Sequence, residues 1–107
     1  MTRHLFMVAT CAREGRVDEL RRWYDEQHIP DLLAVPGITG ARRYSVTAIK
    51  LPQGVVPADA LTVYDIDSED PLAVMAELGR RTEAGVIRFT DALDRDKTIA
   101  LIASPSA

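Results

Sequence analysis

Three side chains able to move or hold a proton recur at helical spacing: Tyr24, His28 and Asp31. An unperturbed imidazole titrates near neutrality, so His28 can both take and give a proton at cell pH. Tyr24 lies one helical turn earlier and reaches the same space. Its hydroxyl could hydrogen-bond a carbonyl or phenolate and stabilise an enolate-like transition state. Asp25 and Asp31 each stand three residues from His28, and either could orient the ring; the helical wheel favours Asp31. The plainer reading is that His28 caps backbone groups left unpaired near Pro30.

These residues belong to Val17–Gly37, VDELRRWYDEQHIPDLLAVPG, the one long stretch with a clear helical period. On a 3.6-residue wheel, Val17, Leu20, Tyr24, His28, Asp31, Leu32 and Val35 share a side. The aliphatic members make it the buried side, and burying unpartnered polar groups costs a few kcal/mol each. Asp18, Glu19, Arg22, Asp25 and Glu26 face water. Trp23 sits off the buried stripe by about a third of a turn and is assigned to packing. Pro30 removes the amide that would bond to Glu26, so the helix must bend or restart around Gln27–Ile29. Pro36-Gly37 ends the segment.

The rest of the chain supplies a sheet and a second helix. Leu5–Thr10 is apolar on both faces, as in a central strand. Ile38–Gly40 reads as a glycine-bounded connection and Ala41–Ile49 as a strand, with Arg42 and Tyr44 on one face and Arg43 on the other. Lys50–Asp59 contains Pro52, Gly54 and Pro57 and is a loop long enough to act as a lid. In Leu61–Asp67, Leu61, Val63 and Asp65 share a face opposite Thr62, Tyr64 and Ile66. Asp70-Pro71 starts a helix reaching about Thr82. Glu83–Asp91 is ambiguous, with a short third helix over Val86–Leu93 one option after Gly85, and Thr98–Ile102 is a last strand. Arg43, Tyr44 and Tyr64 are candidate substrate-binding residues, for which a salt bridge and ordinary strand aromatics are the duller readings. Glu83 and Arg88 could line a pocket mouth or pair at a helix end.

The order β-α-β-β-α-(α)-β is that of an α+β, ferredoxin-like fold: a four-stranded antiparallel sheet with helices on one face. No helix remains for the other face, so a second copy is expected to cover it, giving a homodimer.

Composition narrows the function classes. The 107 residues suffice for one small domain, spanning 1–107. Net charge is −3 with no basic stripe, which argues against nucleic acid. No apolar run spans a bilayer. MTRHLFMVAT lacks a signal-cleavage pattern and reads as a strand. A single cysteine, Cys11, leaves no intrachain disulfide, and a cytoplasmic protein is the simplest expectation. The two histidines, His4 and His28, share no metal-ligand spacing, and no nucleotide-binding or serine-hydrolase motif occurs, so neither metal nor cofactor is expected.

The string WYDEQHIPDLLAVPG, followed by a strand beginning ARRY, resembles the EthD-like branch of the dimeric α/β-barrel superfamily. Trp23, Tyr24, Asp25, Glu26, His28, Ile29, Pro30, Val35, Pro36 and Gly37 stand in matching places. Gln27 stands where a second His is common. The C-terminal RTEAGVIRFTDALDRDKTIAL is also similar to family members. The resemblance implies two sheets packed as a dimeric α/β barrel, with a small hydrophobic cavity between sheet and helices. By position, it carries His28 and Tyr24 over as cavity residues.

The expected function is cofactor-independent proton-transfer chemistry, of cyclase, isomerase, dehydratase or decarboxylase type. The substrate would be a small hydrophobic, aromatic or polyketide-like metabolite. His28 would act as general acid/base and Tyr24 as oxyanion partner. The alternatives are a cofactor-free monooxygenase acting on an electron-rich phenol, and a non-catalytic protein that binds a small molecule for a partner enzyme.

Overall fold

The structure, a computed structural model, describes residues 3–106. Met1 and Thr2, at the head of the expected first strand, lie outside the described residues. Four strands form one antiparallel sheet: β1 (Arg3–Thr10), β2 (Ile38–Ser45), β3 (Ala60–Asp67) and β4 (Ile99–Ala103). Their spatial order is β2-β3-β1-β4, which puts β1 and β3 in the middle. Helix α1 (Val17–Trp23) runs into a π-helical turn at Tyr24–His28, which continues as α2 (Ile29–Leu33). Helix α3 (Pro71–Glu83) follows β3. Its start is the expected one: the Asp70 carboxylate accepts from the amide of Ala73 at 3.1 Å, with Pro71 in the first turn.

Period two decides which side chains meet the helices. Phe6 faces Tyr64, and Tyr64 faces Ala41, across the ladder, and all three lie on the helix side. That side holds the main core of Leu32, Val35, Ile38, Tyr64, Ile66, Val74 and Ile87. A second cluster of Leu20, Trp23, Tyr24 and Ala92 packs beside it. The other face carries Leu5, Met7 and Ala9 of β1 beside Val63 and Leu101. Among the described residues no helix covers it, and Tyr44, Ile99 and Leu101 on it are about half exposed.

Four expectations need correction. Strand β2 spans Ile38–Ser45 rather than Ala41–Ile49. Ser45 already pairs with Ala60, the first residue of β3, so Val46–Ile49 have no strand to bond to. At the other end Ile38 pairs with Ile66 across a bulge and is buried, so it belongs to the strand and not to a connection. Val17, expected inside, is exposed at the first turn of α1. Val86–Leu93 forms no helix, because its backbone groups bond outward to other elements. The Arg88 amide donates to the Asp31 carboxylate at 3.0 Å, and the Ala92 carbonyl accepts from the Arg13 amide at 2.8 Å. Leu93 makes an isolated bridge with Ala12. The β-branched and aromatic residues of VIRFT suit this extended path better than a helix.

Gly37 has a positive φ of 98°, and a Cβ there would stand 2.9 Å from Val74 Cγ2. The turn out of α2 therefore needs glycine both for its backbone and for the close approach of α3.

A candidate active-site cavity

Between the helix-side face of the sheet and the α1–α2 helix lies a cavity of about 620 Å³. Phe6 and Val8 of β1 form its floor, and Trp23, Tyr24, His28 and Leu32 form one wall. Leu78 and Thr82 of α3 stand on another side, and Ile87 and Phe89 arrive from the extended segment. The lining is mostly apolar, and the volume lies in the range of small-molecule sites.

The π-helical turn composes the wall. The Ile29 amide donates to the Tyr24 carbonyl five residues back, which widens the turn just before Pro30. In a regular α-helix, residues 23 and 28 would point about 140° apart. The wider turn instead stacks the Trp23 indole on the His28 imidazole, with centroids 4.2 Å apart and planes inclined by 19°. Tyr24 meets the same imidazole edge-on at 5.5 Å. The Trp23 indole N–H donates to the Arg88 carbonyl at 3.1 Å, which fixes the stacking partner in turn. Trp23, assigned to packing from its phase, is therefore a cavity residue and the support of the histidine. Its proximity to Pro30 was the available signal, since a proline inside a helix commonly forces a local change of winding.

His28 makes no hydrogen bond among the described residues, and its Nδ1 is buried without a partner. Burial pushes the imidazole down to about 4, against a weak opposing pull from the Asp31 charge. The ring is thus neutral at pH 7. The Tyr24 side chain is buried, and the Arg43 guanidinium lies over its ring at 4.4 Å.

Neither carboxylate orients the imidazole. Asp31 is consumed by Arg88, which bonds it through its amide, Nε and Nη2 at 3.0, 3.1 and 2.9 Å. These bonds hold the Asp31 carboxyl below its usual range. Asp25 is exposed and approaches Arg43 at 3.8 Å. The wheel put Asp31, Leu32 and Val35 on the inward side, and there they are; what it did not carry is Arg88, the distant partner that takes the Asp31 carboxylate.

Of the expected substrate-binding residues, Arg43 stands behind Tyr24 and outside the cavity lining. Tyr64 is wholly buried beside the floor, in the helix-side core, stacked on Phe6 at 5.7 Å. Its hydroxyl has no partner among the described residues, and burial pushes its titration upward. Tyr44 lies on the opposite face of the sheet, where its hydroxyl accepts from Arg42 at 3.1 Å. Glu83 lines the cavity, whereas Arg88 is paired with Asp31. The 50–59 loop contributes nothing to the lining. It is tied down where the Cys11 thiol donates to the Pro57 carbonyl at 3.3 Å and the Asp59 amide to the Thr10 carbonyl at 2.9 Å.

Among the described residues no group of three or more His, Cys, Asp or Glu side chains could hold a metal ion, and no helix is long and apolar enough to cross a membrane.

No family model matches the chain, and no curated protein matches it. Solved structures do. An EthD-like protein from Ralstonia eutropha is 20% identical with a TM-score of 0.61, over 97% of this chain and 92% of that one. A DABB family protein with a ferredoxin-like fold from Mesorhizobium loti is 14% identical with a TM-score of 0.63, over 100% of both chains. A dimeric ferredoxin-like protein of unknown function from a Jannaschia species is 14% identical with a TM-score of 0.59, over 96% of this chain and 99% of that one. The chain thus has the ferredoxin-like α+β fold along its whole length, and an EthD-like protein is among those it resembles. Identities this low carry the fold and nothing finer.

Proposed function

We propose that this chain is a cofactor-independent enzyme of the EthD-like kind that moves a proton on a small hydrophobic, aromatic or polyketide-like substrate. The observation that carries the reading is the state of His28: a neutral imidazole, clamped by Trp23 and edged by Tyr24, lining an apolar cavity with no hydrogen bond of its own. Buried polar groups in folded proteins nearly always have partners. A bound guest would supply the missing one. The neutral ring takes a proton from a carbon beside a carbonyl, and the carbonyl oxygen gathers the charge. Tyr24 donates its hydroxyl hydrogen to that oxygen, and His28 returns the proton at the end of the cycle. Cyclisation, isomerisation and dehydration all use this pair of moves; in decarboxylation CO2 leaves in place of the proton, Tyr24 holds the enolate oxygen, and His28 passes a proton from water to the carbon.

The test begins with crystals of protein purified from its native cells and a search for density beside His28. On the compound found there, His28→Ala is expected to lower kcat by about 10²–10⁴-fold, a typical contribution of a positioned acid/base, with Kd changed only a few-fold. A variant that loses affinity while no turnover is seen in either protein identifies a binding protein instead. Turnover that stops without O2 identifies the monooxygenase.

The uncovered sheet face supports a second element of the proposal, a homodimer formed face to face through Leu5, Met7, Ile99 and Leu101. The Jannaschia relative is itself described as dimeric.

A further inference from the structure

The cavity has a sealed end and an open end. Trp23, Tyr24, Leu32 and Ile87 are 6, 1, 1 and 2% exposed, while Glu83, Phe89 and Arg95 are exposed. Among the described lining residues Arg95 is the one permanent cation, and Glu83 the one carboxylate. The two do not pair. Arg95 opens the 3-10 turn Arg95–Lys97, and its guanidinium lies over the Phe89 ring at 4.9 Å. Two acids flank it in sequence: the Asp94 carboxylate accepts from the Asp96 amide at 3.2 Å and meets Lys97 Nζ at 3.6 Å, and the Asp96 carboxylate makes no ion pair with Arg95. Other arginines along this edge are committed, Arg88 to Asp31 and Arg16 to Glu19 and Asp91. Arg95 has no carboxylate within ion-pair distance among the described residues. A guanidinium lying on an aromatic face keeps its N–H edge free, and that edge matches a carboxylate with two parallel hydrogen bonds. The hydroxyls of Thr82 and Thr98 are already donated, to the Leu78 carbonyl at 2.9 Å and the Asp94 carbonyl at 3.0 Å, so they do not compete.

We infer that the ligand of this cavity is a hydrophobic carboxylic acid, its apolar body against Trp23 and His28 and its carboxylate on Arg95 at the rim. This rests on the reading of the cavity as a ligand site. Arg95 is then a specificity-determining residue. Glu83 confines the anion to the Arg95 side of the rim by like-charge repulsion.

Trp23 is the only tryptophan of the chain and lines the cavity, so its fluorescence reports occupancy directly. The probes are 2-naphthoate and its methyl ester, which share one aromatic body and differ in charge. The intact protein is expected to bind the acid about tenfold more tightly than the ester, with the advantage shrinking in high salt. Arg95→Met is expected to erase that advantage while ester binding stays within about twofold, which also shows that the variant is folded. Arg95→Lys is expected to restore part of it, and Glu83→Gln to leave acid binding equal or stronger. Equal affinities for acid and ester in the intact protein, or an equal loss of both in Arg95→Met, overturn the inference and leave the cavity standing. Failure of both probes to reach Trp23 overturns the cavity as a ligand site, and the inference with it.

Discussion

At the scale of single residues, His28 carries a measurable signature. Its folded value of about 4 lies below the ordinary value of 6.5. Between those pH values the unfolded chain takes up a proton that the folded chain refuses, so stability falls as pH drops from 6.5 towards 4 and levels off below. The full drop is roughly 3 kcal/mol if the shift is fully expressed. Urea unfolding at pH 7.5, 5.5 and 4 is expected to show that slope, and His28→Phe to flatten it. Turnover should keep its free base down to about pH 4, with the acid limb of kcat/KM there instead of near 6.5. Tyr64 offers a contrasting case. Its buried hydroxyl has no partner, so Tyr64→Phe is expected to be neutral or to stabilise by up to about 1 kcal/mol, since a desolvated unpaired hydroxyl is removed. It should leave turnover unchanged, because Tyr64 is packed in the core and is not in the lining. A large loss of activity in Tyr64→Phe would place its hydroxyl in the reaction after all.

At the scale of elements, the π-turn and the 86–94 segment together make the cavity. Both depend on contacts distant in sequence: Asp31 holds Arg88, and Arg88 holds the Trp23 indole. Asp31→Asn keeps the size of the side chain but weakens its bonds to Arg88. It is expected to cost about 1–2 kcal/mol, as for a charge-assisted hydrogen bond, and to speed amide exchange at 86–92 before the rest of the chain. Gly37→Ala meets both a positive φ and Val74. A cost of about 1–3 kcal/mol is expected, read as a lower urea midpoint at unchanged slope. The regular elements were legible beforehand because their signals are local. Alternation marked β3, and Asp70-Pro71 marked the start of α3. The ends of β2 were not legible, since they are set by where β3 begins.

At the scale of the whole molecule, the half-exposed Ile99 and Leu101 share a sheet face that no helix covers. Leu101→Glu is expected to convert the proposed dimer to monomer in sedimentation velocity while the circular dichroism of the helices persists. Dissociation into folded monomers would locate the interface on this face; an unchanged dimer would locate it elsewhere. The amino-acid sequence by itself determined the strand and helix order, the ferredoxin-like architecture, the bare sheet face and the approach of Tyr24 to His28. Period and capping are properties of neighbours along the chain, so they survive without a fold. Tertiary structure alone decided that Trp23 clamps His28, that Asp31 serves Arg88 and that Arg95 reaches the rim. Each of those depends on a winding change at Pro30 or on segments more than fifty residues apart meeting, and neither leaves a period to read.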